Sequence, residues 1–264
     1  MVNISPVYPT PEHELAAQRI VTFFARRSGV EAVLLVGSCA RGRATPDSCL
    51  DMVILVSPDA WASRRRDLGD AWSEFTQAEE VFQALLRVGE YSHVDLDFHD
   101  GQFQARGHGW TSGPDAFELE IGNLLRYSVP LWEGGSYLRL LQAKWLPYYE
   151  ETLRSERLKM VSLYCQNNLK HIPLYVERGL YFQSFQRLWH AFGEFLQALF
   201  IARRTYPIAY DKWIREQVVE ILELPELYSR LTHLWEIGQF ESREIAHKAR
   251  DLEQLFDEFV TTSG

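Results

Sequence analysis

In the N-terminal half, stretches with helical spacing of apolar residues are separated by short apolar runs typical of buried strands. Thr10 and Pro11 resemble an N-cap and a first helical residue, and the apolar spacing that follows predicts a helix ending near Arg27. Continuous apolar runs at residues 32–36 and 50–56 predict two neighbouring strands joined by a polar loop. This half therefore combines helices with a sheet.

Further along, residues 60–88 have helical spacing, and a strand with strict alternation follows. Its polar positions are His93, Asp95, Asp97 and His99, alternating with Val94, Leu96 and Phe98. Because alternate residues of a strand point to opposite faces, this pattern predicts one polar and one apolar face. A second alternation at residues 117–121 predicts one more strand. A basic cluster in the helical stretch is interpreted as a solvated surface, and it consists of Arg64, Arg65 and Arg66.

After about Gly135 the strand signals end and the chain becomes helical. The clearest helix is predicted from Ser184 to Arg203, with Pro207 ending it, and its Trp and Phe stripe is typical of a bundle core. The fold class is therefore α+β: a small mixed β-sheet domain over residues 1–135 with helices on one face, followed by an all-α helical bundle domain over residues 136–264.

Composition narrows the range of partners and compartments. The formal net charge is −9, which disfavours stable nucleic-acid binding because that affinity depends on Lys and Arg neutralising phosphates. The three cysteines form neither a disulfide framework nor a metal motif, which favours a reducing, cytoplasmic setting. The N-terminal stretch MVNISPVYPTPEHE shows no basic region followed by an apolar run, and no apolar run is long enough for a membrane span, so a soluble, unexported protein is expected.

The segment VLLVGSCARGRATPDSCLDMVILV carries the most specific chemistry. A strand leading into Gly-Ser, followed by a loop and an acidic second strand, resembles the DNA polymerase beta-like nucleotidyltransferase superfamily. The resemblance implies that Gly37 and Ser38 bind the phosphates of ATP or another nucleoside triphosphate. It also implies that carboxylates on neighbouring strands hold Mg²⁺ as a nucleoside monophosphate moves to an acceptor hydroxyl.

One expected carboxylate is missing from the second strand, where Cys49 and Asp51 occupy the two alternate positions. The resemblance gives Asp51, with Asp95 and Asp97 from the adjacent strand, as catalytic and metal-binding residues; Asp95 is the first choice of the latter pair. A thiol is poorly matched to Mg²⁺. An alternative is a transition-metal site in which Cys49 and the two histidines of the alternating strand join the carboxylates.

A second resemblance covers residues 199–214, LFIARRTYPIAYDKWI, which look like the helical-domain segment of antibiotic (aminoglycoside or lincosamide) nucleotidyltransferases. It implies that Arg204 and Lys212 contact nucleotide phosphates. They are equally explained as cations that stabilise a helix C-terminus. By analogy with that class, Glu118 and Glu120 are expected to attract the ammonium groups of an acceptor.

Three functions remain open. The first is an enzyme transferring a nucleoside monophosphate to a hydroxyl of an unidentified small molecule, with antibiotic-like acceptors one class. The second is a catalytically impaired nucleotide-binding or regulatory protein that lost a carboxylate at Cys49. The third is a transferase that modifies a protein. No membrane partner is expected in any of these, and a homodimer is compatible with all three.

Overall fold

The computed structural model describes residues 6–105, 107 and 109–260; residues 1–5, which begin the N-terminal stretch without an export pattern, and residues 106, 108 and 261–264 lie outside it. The chain forms two compact units. Met1–Gln104 and Ile121–Pro147 make up the first, and Ala105–Glu120 and Tyr148–Gly264 make up the second. The proposed domain boundary at residue 135 stays a prediction.

The element order combines one sheet with many helices. In chain order the elements are α1 (Pro11–Phe24), β1 (Val30–Leu35), α2 (Gly37–Ala40), β2 (Leu50–Val56), α3 (Pro58–Ala78), α4 (Glu80–Leu86), β3 (Val94–His99), α5 (Phe117–Ile121) with a π-helical continuation (Gly122–Arg126), β4 (Val129–Glu133), α6 (Tyr137–Trp145), α7 (Glu151–Glu177), α8 (Tyr181–Ala202), a π-helical segment (Glu216–Ile221), α9 (Pro225–His233) and α10 (Glu244–Phe259).

The first unit holds a four-stranded sheet in the order β3-β2-β1-β4. The strands β2 and β4 both pair antiparallel with β1, whereas β2 and β3 run parallel. The predicted mixed sheet of an α+β fold is thus confirmed. Parallel pairing places the starts of β2 and β3 side by side, which matters for the residues near Asp51 and Asp95.

Alternation along the strands decides which side chains form the core of this unit. In β2, Leu50, Met52, Ile54 and Val56 point to the face covered by α1, α3 and α4, and β3 adds Val94, Leu96 and Phe98 to the same cluster. The opposite face is buried at Ala32, Leu34 and Leu55, and α6 contacts β1. Asp51, which is half-buried, and exposed Asp95 also point to this face, where β2 and β3 begin.

The second unit is a helical bundle, as the sequence predicts. Its longest elements, α7 and α8, pack along each other, and α10 contacts both. From Ala191 to Ala202 every residue of α8 is buried, including polar Glu194 and Gln197. The predicted Trp and Phe stripe is accordingly core, although Trp189 at its margin is 41% exposed.

Three details of the sequence prediction are wrong. Residues 117–121 form a helix, because Phe117, Ile121, Leu124 and Leu125 are each buried, and their helical spacing overrides the short alternation. The fourth strand, Val129–Glu133, was not expected. Helix α1 ends at Phe24 rather than near Arg27, whereas α8 ends at Ala202, within one residue of the predicted Arg203.

Among the described residues, no helix combines the length and apolar character needed to cross a membrane.

Candidate functional site

Gly37 follows β1 and lies directly against Asp51. Its φ is +64°, a left-handed conformation that glycine adopts without steric cost. A Cβ atom placed on Gly37 would lie 2.0 Å from Oδ2 of Asp51. The absence of a side chain at this position is therefore what allows the Asp51 carboxylate to approach the turn.

The loop after Gly37 is fixed by hydrogen bonds to its own backbone. The guanidinium of Arg41 donates to the carbonyl oxygen of Gly37 at 2.9 Å, and the N–H of Arg43 donates to the carbonyl oxygen of Ser38 at 2.9 Å. These bonds hold Ser38 in the short helix α2 that starts at Gly37. Arg41 was not among the predicted site residues, although the Arg-Gly pair after Gly-Ser is the sequence signal that could have identified it.

Asp51 and Asp95 occupy paired positions on the parallel strands β2 and β3, and Asp97 pairs with Val53 two residues further along. Asp51 is half-buried, whereas Asp95 and Asp97 are exposed. The predicted polar face of β3 is thus present and carries both aspartates. Register brings Asp95, rather than Asp97, beside Asp51.

The thiol of Cys49 donates a hydrogen bond to Oδ1 of Asp51 at 3.0 Å. Burial, this hydrogen bond and the nearby carboxylates of Asp51 and Asp95 raise the pKa of the Cys49 thiol to about 12. In the metal-free protein the sulfur therefore keeps its proton at neutral pH and acts as a hydrogen-bond donor. A neutral donor stands where the family resemblance implies a second carboxylate on β2.

Two of the residues that could have replaced the missing carboxylate, Asp47 and His99, bind elsewhere. Oδ1 of Asp47 accepts a hydrogen bond from the backbone N–H of Glu90 at 3.3 Å. His93 precedes β3, and Nδ1 of His99 accepts a hydrogen bond from the backbone N–H of Gly101 at 2.8 Å. Burial lowers the pKa of His99, which favours this neutral, accepting form.

Within the part of the chain that the structure describes, no group of three or more His, Cys, Asp and Glu side chains is arranged to hold a metal ion. The imidazole and thiolate alternative thus has no preformed site among these residues. The paired carboxylates of Asp51 and Asp95 do fit a different arrangement. Protein sites for Mg²⁺ often supply one or two carboxylates, with substrate phosphates and water completing the coordination.

The start of β2 is anchored to α1 by a buried histidine. His13 is fully buried; its Nε2 donates to the carbonyl oxygen of Ser48, and its Nδ1 accepts from the hydroxyl of Thr10, each at 2.9 Å. Because Ser48 directly precedes Cys49, this pair of bonds fixes the chain where the carboxylate face begins.

Arg204 and Lys212 belong to the second unit. Arg204 has a φ of +48° and donates to Oε2 of Glu151 at 2.8 Å. Lys212 is exposed, and its carbonyl oxygen accepts a hydrogen bond from the side chain of buried Gln217, which also bonds to Ala209. Gln217 thereby fixes the backbone between Ile208 and Lys212.

The expected acceptor role of Glu118 is wrong, because its side chain is completely buried. Both carboxylate oxygens bind the guanidinium of Arg157, at 2.6 and 2.7 Å. The hydroxyl of Tyr149 and the amide of Gln197 also donate to Glu118. Glu118 is therefore part of an internal polar network of the second unit.

Comparison with known proteins gives one family match. Residues 17–95 match the family model described as a nucleotidyltransferase domain. No curated protein matches the chain. Among solved structures, the chain is similar to a nucleotidyltransferase-like protein from Exiguobacterium sibiricum 255-15, with 13% identity, a TM-score of 0.47, and coverage of 95% of this chain and 77% of that chain. This last likeness is too distant to support an assignment of function.

Proposed function

We propose that the protein transfers a nucleoside monophosphate from a nucleoside triphosphate to a hydroxyl of a small molecule, on the premise that residues 17–95 match the nucleotidyltransferase domain family. The observation that carries the proposal is the pairing of Asp51 with Asp95 beside the open backbone of Gly37. Two adjacent carboxylates next to a side-chain-free turn suit a magnesium-bound triphosphate.

In this reaction the acceptor oxygen attacks the α-phosphorus and forms a new P–O bond. The bond from the α-phosphorus to the bridging oxygen breaks, pyrophosphate leaves, and the hydroxyl proton passes to a carboxylate of the exposed face. Bound Mg²⁺ would neutralise charge on the triphosphate. Gly37 and Ser38 would bind its phosphate oxygens, Asp51 and Asp95 would hold the metal, and Asp97 is the alternative third carboxylate.

Arg204 and Lys212 are proposed as additional cations for the phosphates. Both carry donors suited to charge-assisted hydrogen bonds with phosphate. The ion pair of Arg204 with Glu151 is exposed on both sides, and such a pair contributes little stability. Antibiotic-like acceptors remain the class that the resemblance of residues 199–214 suggests.

A second candidate function is nucleotide binding without turnover. The hydrogen bond from Cys49 to Asp51 favours it, because a protonated thiol occupies the position of a metal-binding carboxylate and engages the neighbouring one. Such a protein would bind a nucleotide and release no pyrophosphate. The third possibility, transfer to a protein acceptor, would give labelled protein in a lysate incubated with labelled ATP.

The test combines calorimetric titration of ATP in the presence of Mg²⁺ with pyrophosphate release over a panel of hydroxyl acceptors, including aminoglycosides. Asp51→Asn and Asp95→Asn should each weaken binding of the magnesium complex by about tenfold or more, since a charged metal ligand is lost. Asp97 lies two residues further along the same face of β3. If Asp95 is the metal-binding partner of Asp51, Asp97→Asn should weaken binding less than Asp95→Asn does.

Glu74→Gln is the matched control, because Glu74 is an exposed carboxylate on α3 and lies outside the proposed site. The nucleotide site is refuted if Asp51→Asn and Asp95→Asn bind the magnesium complex as tightly as Glu74→Gln. If the protein binds the nucleotide but releases no pyrophosphate with any acceptor, whether the acceptor is purified or supplied in a lysate, the non-catalytic function is supported.

A further inference from the structure

A groove of about 540 Å³ lies on the first unit between α3 and the end of β3. Its walls include Trp61, Arg65, Arg66 and Asp70 from α3 and Phe98 from β3. The volume is within the range of about 300–1,000 Å³ that small-molecule sites occupy. The proposed nucleotidyl-transfer site uses none of these residues.

The groove and the carboxylate face lie on opposite sides of the sheet. Along β3, Asp95 and Asp97 point to one side, and the residues that alternate with them point to the other. Phe98 belongs to the second set and packs edge-on against the ring of Phe24, with ring centroids 5.8 Å apart. A molecule in the groove therefore cannot reach Asp51 or Asp95, and the groove is a separate site.

Its walls combine aromatic surface with positive charge. The guanidinium of Arg65 lies over the ring of Trp61, 5.0 Å from the centroid. Arg66 approaches Asp70 only at 4.0 Å, with 93% and 76% of the two side chains exposed, so this pair is weak and easily exchanged. Two guanidinium groups face one carboxylate in a chain whose overall charge is −9. The local excess of positive charge complements an anion.

We propose that this groove binds a small molecule that joins a planar aromatic ring to an anionic group, of the kind represented by a purine nucleoside monophosphate. Trp61 and Phe98 supply apolar surface for the ring. Arg65 and Arg66 supply forked donors matched to phosphate or carboxylate, and Arg65 is already oriented by its contact with Trp61. Asp70 accepts hydrogen bonds from hydroxyl or amino groups. The binding needs no metal and does not depend on the proposed transfer reaction.

The experiment titrates AMP into the full-length protein by calorimetry in the presence of a chelator. Adenosine and inorganic phosphate are titrated separately, because they carry only the ring or only the anion. AMP should bind, and each fragment should bind at least about tenfold more weakly, since each makes only part of the contacts. Equal binding of AMP and adenosine, or no AMP binding at millimolar concentration, would overturn the proposal.

Variants then locate the binding. Arg65→Gln/Arg66→Gln should weaken AMP binding by about tenfold or more, whereas Arg87→Gln, an exposed arginine on the same unit, should not. Asp95→Asn should also leave metal-free AMP binding unchanged. Unchanged affinity in the double variant, or loss in Asp95→Asn, would overturn the groove assignment. Magnesium ATP binding, which tests the carboxylate face, should survive in the double variant, so the two proposals fail separately.

Discussion

The thiol of Cys49 donates to Oδ1 of Asp51 across 3.0 Å, so a protonated sulfur and a carboxylate share the face of β2 on which two carboxylates are implied. The sulfur can donate because burial and Asp51 itself keep the Cys49 pKa near 12. In this arrangement, Asp51 has a neutral partner on its own strand. The consequences of that substitution can be tested without knowledge of the acceptor.

Cys49→Asp should lower stability without divalent metal and restore it with Mg²⁺. The new carboxylate would face Asp51 and Asp95, and like charges at such distances cost about 1 kcal/mol or more. A bound dication would reverse this repulsion. Thermal unfolding in chelator and across a Mg²⁺ titration measures both effects, and nucleotide affinity should rise in parallel.

Cys49→Asn is the matched control, because the amide has the shape of the carboxylate without its charge. It should show neither the loss in chelator nor the gain with Mg²⁺. If Cys49→Asp responds to Mg²⁺ no more than Cys49→Asn does, the position does not face a metal site.

Gly37→Ala should destabilise the first unit. The residue has a φ of +64°, and the added Cβ would overlap Oδ2 of Asp51 at 2.0 Å, so the carboxylate must move. A strained left-handed residue costs on the order of 1–3 kcal/mol. Gly69→Ala provides the opposite case. Gly69 lies inside α3, and its added Cβ would meet no neighbouring residue within 4 Å. Because alanine has the higher helix propensity, the free energy of unfolding should rise by about 0.5–1 kcal/mol. Chemical denaturation of both variants tests the contrast; shifts of the same sign would contradict it.

The sequence predicts an element correctly where a long periodic pattern of apolar residues matches the positions that the fold buries. The alternation of β3 places Asp95 and Asp97 on one face, and the spacing along α8 predicts its buried stripe. A five-residue window is insufficient at Phe117–Ile121, where alternation and helical spacing both fit. The helical spacing of buried residues continues beyond this window to Leu124 and Leu125, and Glu118 binds Arg157, 39 residues away in the chain. Local pattern holds no information on that contact.

Part of the geometry of the candidate site was predictable from the sequence. The motif predicts Gly37 and Asp51, the alternating strand predicts Asp95, and the structure brings the three residues close to one another. The state of the Cys49 thiol was not predictable, because burial of that position depends on packing from elsewhere in the unit. The role of Arg41 likewise requires the loop geometry, in which it bonds to the carbonyl of Gly37.

Arg157→Met should destabilise the protein by about 3–5 kcal/mol, because it leaves Glu118 and Asp115 as carboxylates without their guanidinium partner in a buried setting. Adding Glu118→Gln should recover part of the loss by removing one of the two charges. Arg230→Gln is the control, since its ion pair with Glu258 is exposed on both sides and should contribute less than about 1 kcal/mol. Denaturant midpoints measure all three, and equal losses for Arg157→Met and Arg230→Gln would contradict the account.

Glu194 should make stability fall as pH rises from about 4.5 to 8. Burial raises its pKa to about 8, although hydrogen bonds from the amide of Asn168 and the charge of Arg187 oppose the shift. Between pH 4.5 and about 8 the Glu194 side chain is ionised in the unfolded chain but protonated in the folded chain, so the free energy of unfolding falls as the pH rises. Above pH 8 the side chain is ionised in both states, and the free energy of unfolding no longer changes through this group. Glu194→Gln should therefore flatten this part of the stability profile and gain most near pH 8, whereas exposed Glu177→Gln should keep the native slope. Chemical denaturation at a series of pH values measures these profiles of stability against pH. Parallel profiles for Glu194→Gln and Glu177→Gln would rule out a neutral Glu194.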